Sequence, residues 1–177
     1  MSAGLSPGPP GAIDDLRQVF LDVPQPVAVI SGLGVSGQPV GMTVSSLTSA
    51  SLTPPLLLFC PAATSRAWAE LRPQGLFAVS ILGYGDGQLA ARFAGPGDRF
   101  AGVRTLPMDY GIPALADALT VVLCDVRDER QAGDHTVVLA EVRAVHALRD
   151  GAGLDTVSLR APAVRPPTSS RRRDGVR

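Results

Sequence analysis

The sequence predicts a mainly β protein, a closed antiparallel barrel with a few short helices. Short apolar runs of strand length recur along the chain, separated by Gly- and Pro-rich turns, about six or seven in all. They do not alternate regularly with long helices, which argues against a parallel α/β sheet. The chain has 177 residues, of which 45% are apolar and 18% charged, so it is long and apolar enough for one packed domain.

The first third of the chain predicts one helix and three extended segments. Residues 12–21 combine helical apolar spacing with acidic residues in the first turn, the pattern of a short amphipathic helix. Residues 27–30 are all apolar and predict a buried strand, and the glycine-rich stretch 32–37 predicts its turn. Two extended segments rich in Ser and Thr follow at 39–43 and 45–51.

The middle of the chain predicts two strands and two short helices. Residues 56–60 form an uninterrupted apolar run, typical of a strand buried on both faces. Thr64 and Ser65 come just before a helical stretch at 67–71, where their side chains can cap the first turn. A strand is expected at 76–82, and 88–94 has helical spacing.

The last third predicts a hairpin after an irregular segment. Residues 95–117 show no clear period. Two strands are expected at 121–126 and 136–145, with a turn at Gly133 and Asp134 between them. Residues 154–159 have the length and composition of one more short strand.

Composition also divides the chain into a domain and two ends. We expect a folded domain over residues 12–160, a disordered segment over 1–11 and a disordered Arg- and Pro-rich tail over 161–177. The formal net charge is 0, so there is no global electrostatic case for nucleic acid as a partner. The tail is nevertheless basic, and an arm for nucleic acid or for an acidic partner is the minor alternative to a solvated tail.

Cysteine usage and hydropathy favour a cytoplasmic protein. Cys60 and Cys124 lie in apolar runs without a second cysteine or a histidine at metal-ligand spacing, so we interpret them as core residues in a reducing compartment. Residues 1–11 have neither the basic start nor the apolar stretch of a signal peptide. The longest apolar run is about five residues, too short to span a membrane. No membrane partner is expected.

Several frequent catalytic and metal-binding motifs are absent from the sequence. It contains no GxSxG, HExxH or GxxxxGK[ST] motif, and its two histidines exclude a His-rich metal site. Residues 32–37 match GxGxxG, but Pro39 and an extended segment follow instead of the helix that phosphate binding requires. We interpret this stretch as a hairpin turn and expect no metal site. We expect His146, at a strand end, to lie on the surface.

The densest polar cluster is residues 43–51, where small hydroxylic side chains predominate. Small side chains let a planar ligand approach the backbone closely, while a Ser/Thr-rich edge hairpin is the alternative. Ser65 and Arg66 could bind a phosphate or simply cap a helix. His135 follows the Gly133–Asp134 turn, where the alternative is an Asp–His hydrogen bond.

These segments together resemble one known family. The stretches that carry the resemblance occur in family order between about residues 12 and 148 of the chain. They are PVGMTVSSLTSASLTPPLLLFC (39–60), TSRAW (64–68), FAVSIL (77–82), LAARFAG (89–95), DRFAG (98–102) and AGDHTVVLAEV (132–142). The chain resembles the flavin reductase-like family, the short-chain NAD(P)H:flavin oxidoreductases that supply reduced flavin to two-component monooxygenases.

The resemblance implies a fold and an activity. The family fold is an FMN-binding split β-barrel that works as a homodimer, with a monooxygenase component as partner. The implied reaction is hydride transfer from NADH or NADPH to FMN or FAD. Two alternatives remain open. The same barrel could keep its FMN as an electron carrier or as an oxidoreductase for an organic substrate, or it could be a non-catalytic partner subunit.

The resemblance also implies site residues. His135 is the candidate catalytic residue, expected near the nicotinamide or the flavin edge. Arg92 and Phe93 would close over the flavin, and Ser65 and Arg66 would lie near its phosphate. The remaining residues implied in cofactor binding are Thr43, Val44, Ser45, Ser46, Thr48, Ser49, Ser51, Gly133 and Asp134.

Two segments depart from the family pattern. Residues 150–177 contain no aromatic residue, whereas the family usually has a Tyr-containing segment there that lines the active site. The segment before the first strand reads VPQPVAVI, where the family commonly has a Gly beside a Thr or Ala. Pro26 therefore removes one backbone donor from this turn.

Overall fold

A computed structural model describes residues 18–160, and its architecture is mainly β, as expected. Residues 18–21 are helical, at the end of the predicted helix; residues 12–17, like the expected flexible ends 1–11 and 161–177, lie outside the described residues. The strands are β1 (Ala28–Leu33), β2 (Pro39–Val44), β3 (Thr48–Leu52), β4 (Pro55–Phe59), β5 (Leu76–Ile81), β6 (Thr105–Pro107), β7 (Pro113–Leu115), β8 (Thr120–Ala132) and β9 (His135–Ala147). The helices are α1 (Arg66–Leu71), α2 (Gly87–Ala94) and α3 (Thr156–Arg160), with short 3₁₀ turns at Arg72–Gln74 and Asp109–Gly111.

Seven strands form one antiparallel sheet in the order β2-β1-β5-β8-β9-β4-β3. No hydrogen bonds join β2 to β3, so the described sheet is split rather than closed. The reason lies in the turn between them. The Ser46 hydroxyl accepts a hydrogen bond from the Cys60 N–H at 2.7 Å and donates to the Cys60 carbonyl at 3.3 Å. The chain therefore turns toward the end of β4 instead of pairing back onto β2.

Two apolar clusters lie on the two faces of the curled sheet. In the first, Phe59, Trp68 and Phe77 pack edge to face with ring centroids 5.1–5.6 Å apart. The second is built around Phe93 and Leu115, beneath α2 and the β6–β7 hairpin. Cys124 is buried beside the aromatic cluster, and burial raises the pKa of its thiol to about 12. This thiol is thus a core group, as predicted, and not a reactive one.

Two expectations about irregular and terminal segments were wrong. Part of 95–117 is ordered as β6 and β7, strands of three residues that are too short to show a period. The expected strand at 154–159 is an isolated bridge at Asp155 followed by α3. The Asp155 carboxylate accepts the backbone N–H groups of Val157 and Ser158 at 2.9 and 2.8 Å, which starts a helix there. These hydrogen bonds, chiefly with Ser158, lower the pKa of Asp155.

The hairpin turn at 32–37 is confirmed, since the Gly34 N–H donates to the Gln38 carbonyl at 2.8 Å between β1 and β2. His146 is exposed, as expected. Among the residues described here, no helix has both the length and the apolar character needed to cross a membrane.

The C-terminal segment is part of the core, and this can be tested at Leu154, which is 3% exposed. We expect Leu154→Ala to lower the free energy of unfolding by about 2–5 kcal/mol, because it removes a buried side chain and leaves a cavity. Leu52, 86% exposed, is the control, and Leu52→Ala should change stability by less than about 0.5 kcal/mol. Equal effects in urea denaturation would show that residues 150–156 do not belong to the folded unit.

Candidate functional site

A large cavity among the described residues lies along the outer edge of β2. Its volume is about 1030 Å³. The edge is bounded by α1 on one side and by α2 and the following loop on the other, and His135 lies at the rim. The lining residues are Gln25, residues 39–46, 60–62, 64–67, Glu70, Phe93, Ala94, residues 97–100 and His135.

The β2 edge offers backbone groups to this cavity. β2 is the last strand of the sheet and pairs only with β1 among the described strands. The Gly41 carbonyl points away from β1, because it accepts a hydrogen bond from Arg99 Nη1 at 2.6 Å. Backbone direction alternates along an antiparallel strand, so the N–H and C=O of Thr43 also point outward. Neither group has a hydrogen-bond partner within residues 18–160, so both can bind a ligand.

Gly41 permits the close approach of α2 to this edge. A Cβ at this position would lie 2.7 Å from Phe93 Cε1 and 3.2 Å from the Ile30 carbonyl oxygen. Phe93 is fully buried and packs edge to face on Phe100, with ring centroids 5.0 Å apart. The Thr43 hydroxyl donates to the Ala90 carbonyl at 2.6 Å, which also holds α2 against β2. Small residues on β2 therefore set the width of the cavity.

The wall formed by α1 begins with Ser65 and Arg66. Ser65 is the N-cap, and its hydroxyl accepts from the Trp68 N–H at 3.2 Å and lies 3.3 Å from Met42 Sδ. This contact fixes the start of α1 beside the middle of β2. Arg66 is exposed at the cavity and forms no ion pair with another residue in 18–160.

The opposite wall contains a second guanidinium, that of Arg99. It donates from Nε to the Gly95 carbonyl at 2.8 Å and from Nη1 to Gly41, so it ties the loop after α2 to β2. The carboxylate of Asp98 is occupied by the Phe100 and Ala101 N–H groups at 3.0 and 3.1 Å. Arg99 is half-buried, and within the described chain its Nη2 has no partner. Two cations without carboxylate partners among the described residues thus border the cavity, which also contains Glu70, and each cation can bind an anionic group of a ligand.

His135 is held at the rim by backbone contacts. The Thr136 N–H donates to the Pro61 carbonyl at 2.9 Å, and the Ala63 N–H donates to the Asp134 carbonyl at 2.8 Å. The His135 Nδ1 lies 2.8 Å from Asp134 Oδ1. The Asp–His hydrogen bond, considered above as the alternative, is therefore present, and it orients the imidazole of a residue that also lines the cavity.

The cavity brings together eight of the residues implied by the resemblance: Thr43, Val44, Ser45, Ser46, Ser65, Arg66, Phe93 and His135. Six do not line it: Thr48, Ser49, Ser51, Arg92, Gly133 and Asp134. The first three lie on β3, the opposite edge of the sheet, with Thr48 and Ser49 exposed. Arg92 is exposed and donates to the Ala101 carbonyl, and Gly133 forms the turn at φ 63°.

Sequence reasoning missed Gly41, Arg99 and Gln25. Arg99 lies within the quoted stretch DRFAG, but nothing in the sequence distinguishes it from Arg92, which also precedes a Phe. Gln25 was noticed only through its neighbour Pro26. The sequence does not identify these three as site residues, because the role of each depends on a contact with a segment that is distant in sequence.

A second cavity, of about 620 Å³, lies on the other face of the sheet. It is bordered by Tyr110 and Arg143, and its floor is apolar. The pKa of Arg143 is raised, mainly by its hydrogen bond to Asp125. None of the site residues expected from the sequence lines this cavity.

The family model described as "Flavin reductase like domain" matches residues 20–157 of the chain. The chain is 39% identical over 137 residues to the actinorhodin polyketide dimerase of Streptomyces coelicolor, covering 77% of each. It is 40% identical over 142 residues to the flavin reductase (NADH) of Kitasatospora aureofaciens, covering 76% of this chain and 73% of the relative. It is 38% identical over 130 residues to the stachydrine N-demethylase reductase subunit of Rhizobium meliloti, covering 73% of this chain but only 56% of that longer relative.

Solved structures show the same similarity. The NADH:FAD oxidoreductase of Streptomyces globisporus C-1027, in complex with NAD and FAD fragments, superposes with a TM-score of 0.80 at 31% identity. The match covers 93% of this chain and 99% of that one. The mainly β fold with an open sheet is thus a flavin reductase fold.

The close contact at Gly41 can be tested directly. We expect Gly41→Ala to reduce FMN affinity by at least tenfold, roughly 1.4 kcal/mol, because the new methyl group must displace Phe93 or the β2 backbone. Gly85→Ala is the control, since a Cβ there meets no atom within 4 Å. Flavin fluorescence titration measures both affinities. Wild-type affinity in Gly41→Ala would contradict the role given to this contact.

Proposed function

The chain belongs to the flavin reductase-like family, and we propose that it reduces FMN or FAD with NADH or NADPH and delivers the reduced flavin to a monooxygenase. With this activity the protein is an NAD(P)H:flavin oxidoreductase. The relatives named above support this activity, since one is a flavin reductase using NADH and another an NADH:FAD oxidoreductase.

The observation that carries the proposal is the open edge of β2 between two cationic walls. A flavin nucleotide needs hydrogen-bonding groups for its ring edge, a small-residue surface beneath the ring, and cations for its phosphate. The outward-facing backbone groups of Thr43 can hydrogen-bond the ring edge. Gly41 and Ser45 are small and leave room for the ring against β2. Arg66 and Arg99 supply the positive charge for the phosphate. The donor set therefore fits the group.

The size of the cavity fits two ligands in contact. Small-molecule sites usually measure about 300–1,000 Å³, and this one lies at the upper limit. Reaction requires the nicotinamide and flavin rings to lie face to face, with reacting atoms about 3–3.5 Å apart. A single narrow slot would exclude the second ring, whereas this groove is open along β2.

The chemistry belongs to the two nucleotides. A hydride passes from C4 of the reduced nicotinamide to N5 of the flavin, which oxidises NADH to NAD⁺ and reduces the flavin. The protein orients the rings and needs no acid–base pair for this transfer. His135, fixed by Asp134 and by the Pro61–Thr136 hydrogen bond, lines the cavity at its rim, where it would orient the bound nicotinamide or the flavin edge.

A partner monooxygenase and a cytoplasmic location are parts of the proposal. The stachydrine N-demethylase relative is itself a reductase subunit, which supports a separate oxygenase component. Cys60 and Cys124 are both free thiols, which suits a reducing compartment where nicotinamide nucleotides are abundant.

A homodimer is also proposed, through the outer face of β4 and β9. Leu56 and Leu58 on β4, with Val137 and Leu139 on β9, share this face and belong to neither apolar cluster. An apolar sheet face of this kind is typical of a surface on which another protein packs. Thr48 pairs with Leu58 across β3 and β4, so the β3 residues would lie at the edge of this interface.

The activity is tested first by NADH oxidation at 340 nm, with and without added FMN. We expect turnover to increase with FMN concentration, because the flavin is a substrate that binds and leaves. A yellow protein that retains flavin through gel filtration and does not depend on added FMN would favour the bound-flavin alternative. Absence of turnover and of flavin binding would contradict the proposal.

The phosphate contact is tested by comparing FMN with riboflavin, which lacks the phosphate. We expect Arg99→Met to weaken FMN binding by about tenfold or more and riboflavin binding much less, because a charge-assisted hydrogen bond is lost. Arg92→Met is the matched control, since Arg92 does not line the cavity. Equal losses for both flavins would assign Arg99 a purely structural role.

The role of His135 is tested by His135→Ala. We expect the KM for NADH to increase severalfold while the dissociation constant of FMN changes by less than about twofold, because the imidazole lies at the rim and not along β2. Steady-state kinetics and flavin titration give the two values. Equal increases in both would place His135 at the flavin itself.

A further inference from the structure

Residues 152–156 form a strap between two parts of the sheet that are far apart in sequence. The Val27 N–H donates to the Leu154 carbonyl at 2.9 Å, and the Leu154 N–H donates to the Leu82 carbonyl at 2.8 Å. The Tyr84 N–H donates to the Ala152 carbonyl at 2.9 Å. The strap therefore connects the chain before β1 with the chain after β5. Leu154 anchors it in the second apolar cluster.

Thr156, the last residue of the strap, holds Gln25 in place. The Thr156 N–H donates to the Gln25 carbonyl at 2.9 Å, and the Gln25 N–H donates to Thr156 Oγ1 at 3.2 Å. The same hydroxyl donates to the Val23 carbonyl at 3.3 Å. Both backbone polar groups of Gln25 are thus occupied. Its half-buried side chain lines the cavity, and its carboxamide has no hydrogen-bond partner within residues 18–160.

Gln25 lies at the opposite end of the β2 edge from Arg99. Ala28 pairs with Val44, so the chain three residues earlier passes beside the turn after β2, where Ser45 lies. Arg99 binds the carbonyl of Gly41. Four residues of an extended strand span about 13 Å. The Arg99 contact at Gly41 and the position of Ser45, beside which the segment of Gln25 passes, are therefore separated by about 13 Å of strand along the cavity.

Resting on the function proposed above, we propose that Gln25 hydrogen-bonds the imide edge of the flavin ring and that the strap is its positioning element. That edge carries N3–H between the C2 and C4 carbonyls. A carboxamide has one acceptor and two donors, so it can pair with N3–H and one carbonyl at the same time. The neighbouring Pro26 has no N–H to offer, so at this end of the cavity the Gln25 carboxamide is a donor beside the outward-facing backbone of Thr43. A ligand whose phosphate lies at Arg99 then places its ring at Gln25.

Gln25 and the strap that holds it come from two segments that are distant in sequence. The segment before β1 supplies Gln25, and the C-terminal segment supplies the Thr156 contacts that fix it. The two segments are 131 residues apart in sequence and are joined by reciprocal hydrogen bonds.

The experiment compares FMN with 3-methyl-FMN, in which a methyl group replaces the hydrogen on N3. Dissociation constants are measured by flavin fluorescence for the wild type, Gln25→Ala, Gln25→Glu and Thr156→Val, and melting temperatures confirm that each variant is folded. We expect the wild type to bind 3-methyl-FMN about tenfold more weakly than FMN, the loss of one net hydrogen bond plus a steric contact. Gln25→Ala should bind both flavins with equal, reduced affinity.

The other variants separate positioning from packing. Gln25→Glu keeps the acceptor for N3–H but loses the donor, so it should still discriminate against 3-methyl-FMN while binding FMN more weakly. Thr156→Val keeps the side-chain shape without the hydroxyl and should reduce discrimination at least threefold. Ser158→Ala, which removes the hydrogen bond to Asp155 Oδ2 on the same helix, is the control and should keep wild-type discrimination.

Four outcomes would contradict the proposal. Discrimination that is absent in the wild type, or unchanged in Gln25→Ala, would show that Gln25 does not contact the imide edge, while FMN binding itself leaves the reductase function intact. If Thr156→Val discriminates between FMN and 3-methyl-FMN as well as the wild type does, the strap does not position Gln25. A wild type that binds neither flavin would instead overturn the proposed function, and this inference with it.

Discussion

The unpaired outer edge of β2 is the constraint on which the rest of the structure depends. A strand at a sheet edge exposes unsatisfied backbone groups and usually invites pairing with another chain. Here α1 and α2 flank the edge and keep another strand away, but they do not fill it. The backbone of Thr43 therefore remains available inside a cavity. The open sheet, the small residues on β2 and the position of both helices together keep this edge accessible.

The two walls are held by contacts that also shape the site. Gly41 lets Phe93 approach β2, Thr43 fixes the carbonyl of Ala90, and Arg99 spans the carbonyls of Gly41 and Gly95. Each of these groups supports α2 and borders the cavity at the same time. A substitution in β2 at this wall therefore affects both the packing of α2 and the binding of a ligand in the cavity. On the other wall, Ser65 starts α1 beside Met42 and leaves Arg66 at the opening.

The C-terminal segment shows how one fold accommodates a changed sequence. It contains no aromatic residue, yet Leu154 is buried in the second apolar cluster and the strap hydrogen-bonds to both neighbouring segments. The backbone pairing therefore does not need an aromatic side chain. In this protein the segment acts on the site through Gln25, which it positions from the opposite end of the chain.

The sequence by itself determined most strands, the caps and the family, because these depend on patterns within a few residues. Apolar runs marked β1, β4, β5, β8 and β9, and Ser65 marked the start of α1. It also placed the cluster on β2 near the site. Only the tertiary structure decided that β3 lies at the other edge, that Arg99 and not Arg92 borders the cavity, and that Thr156 holds Gln25. The roles of Arg99 and Thr156 depend on contacts with residues that lie 58 and 131 positions away in the sequence. No pattern within a few residues can indicate such contacts.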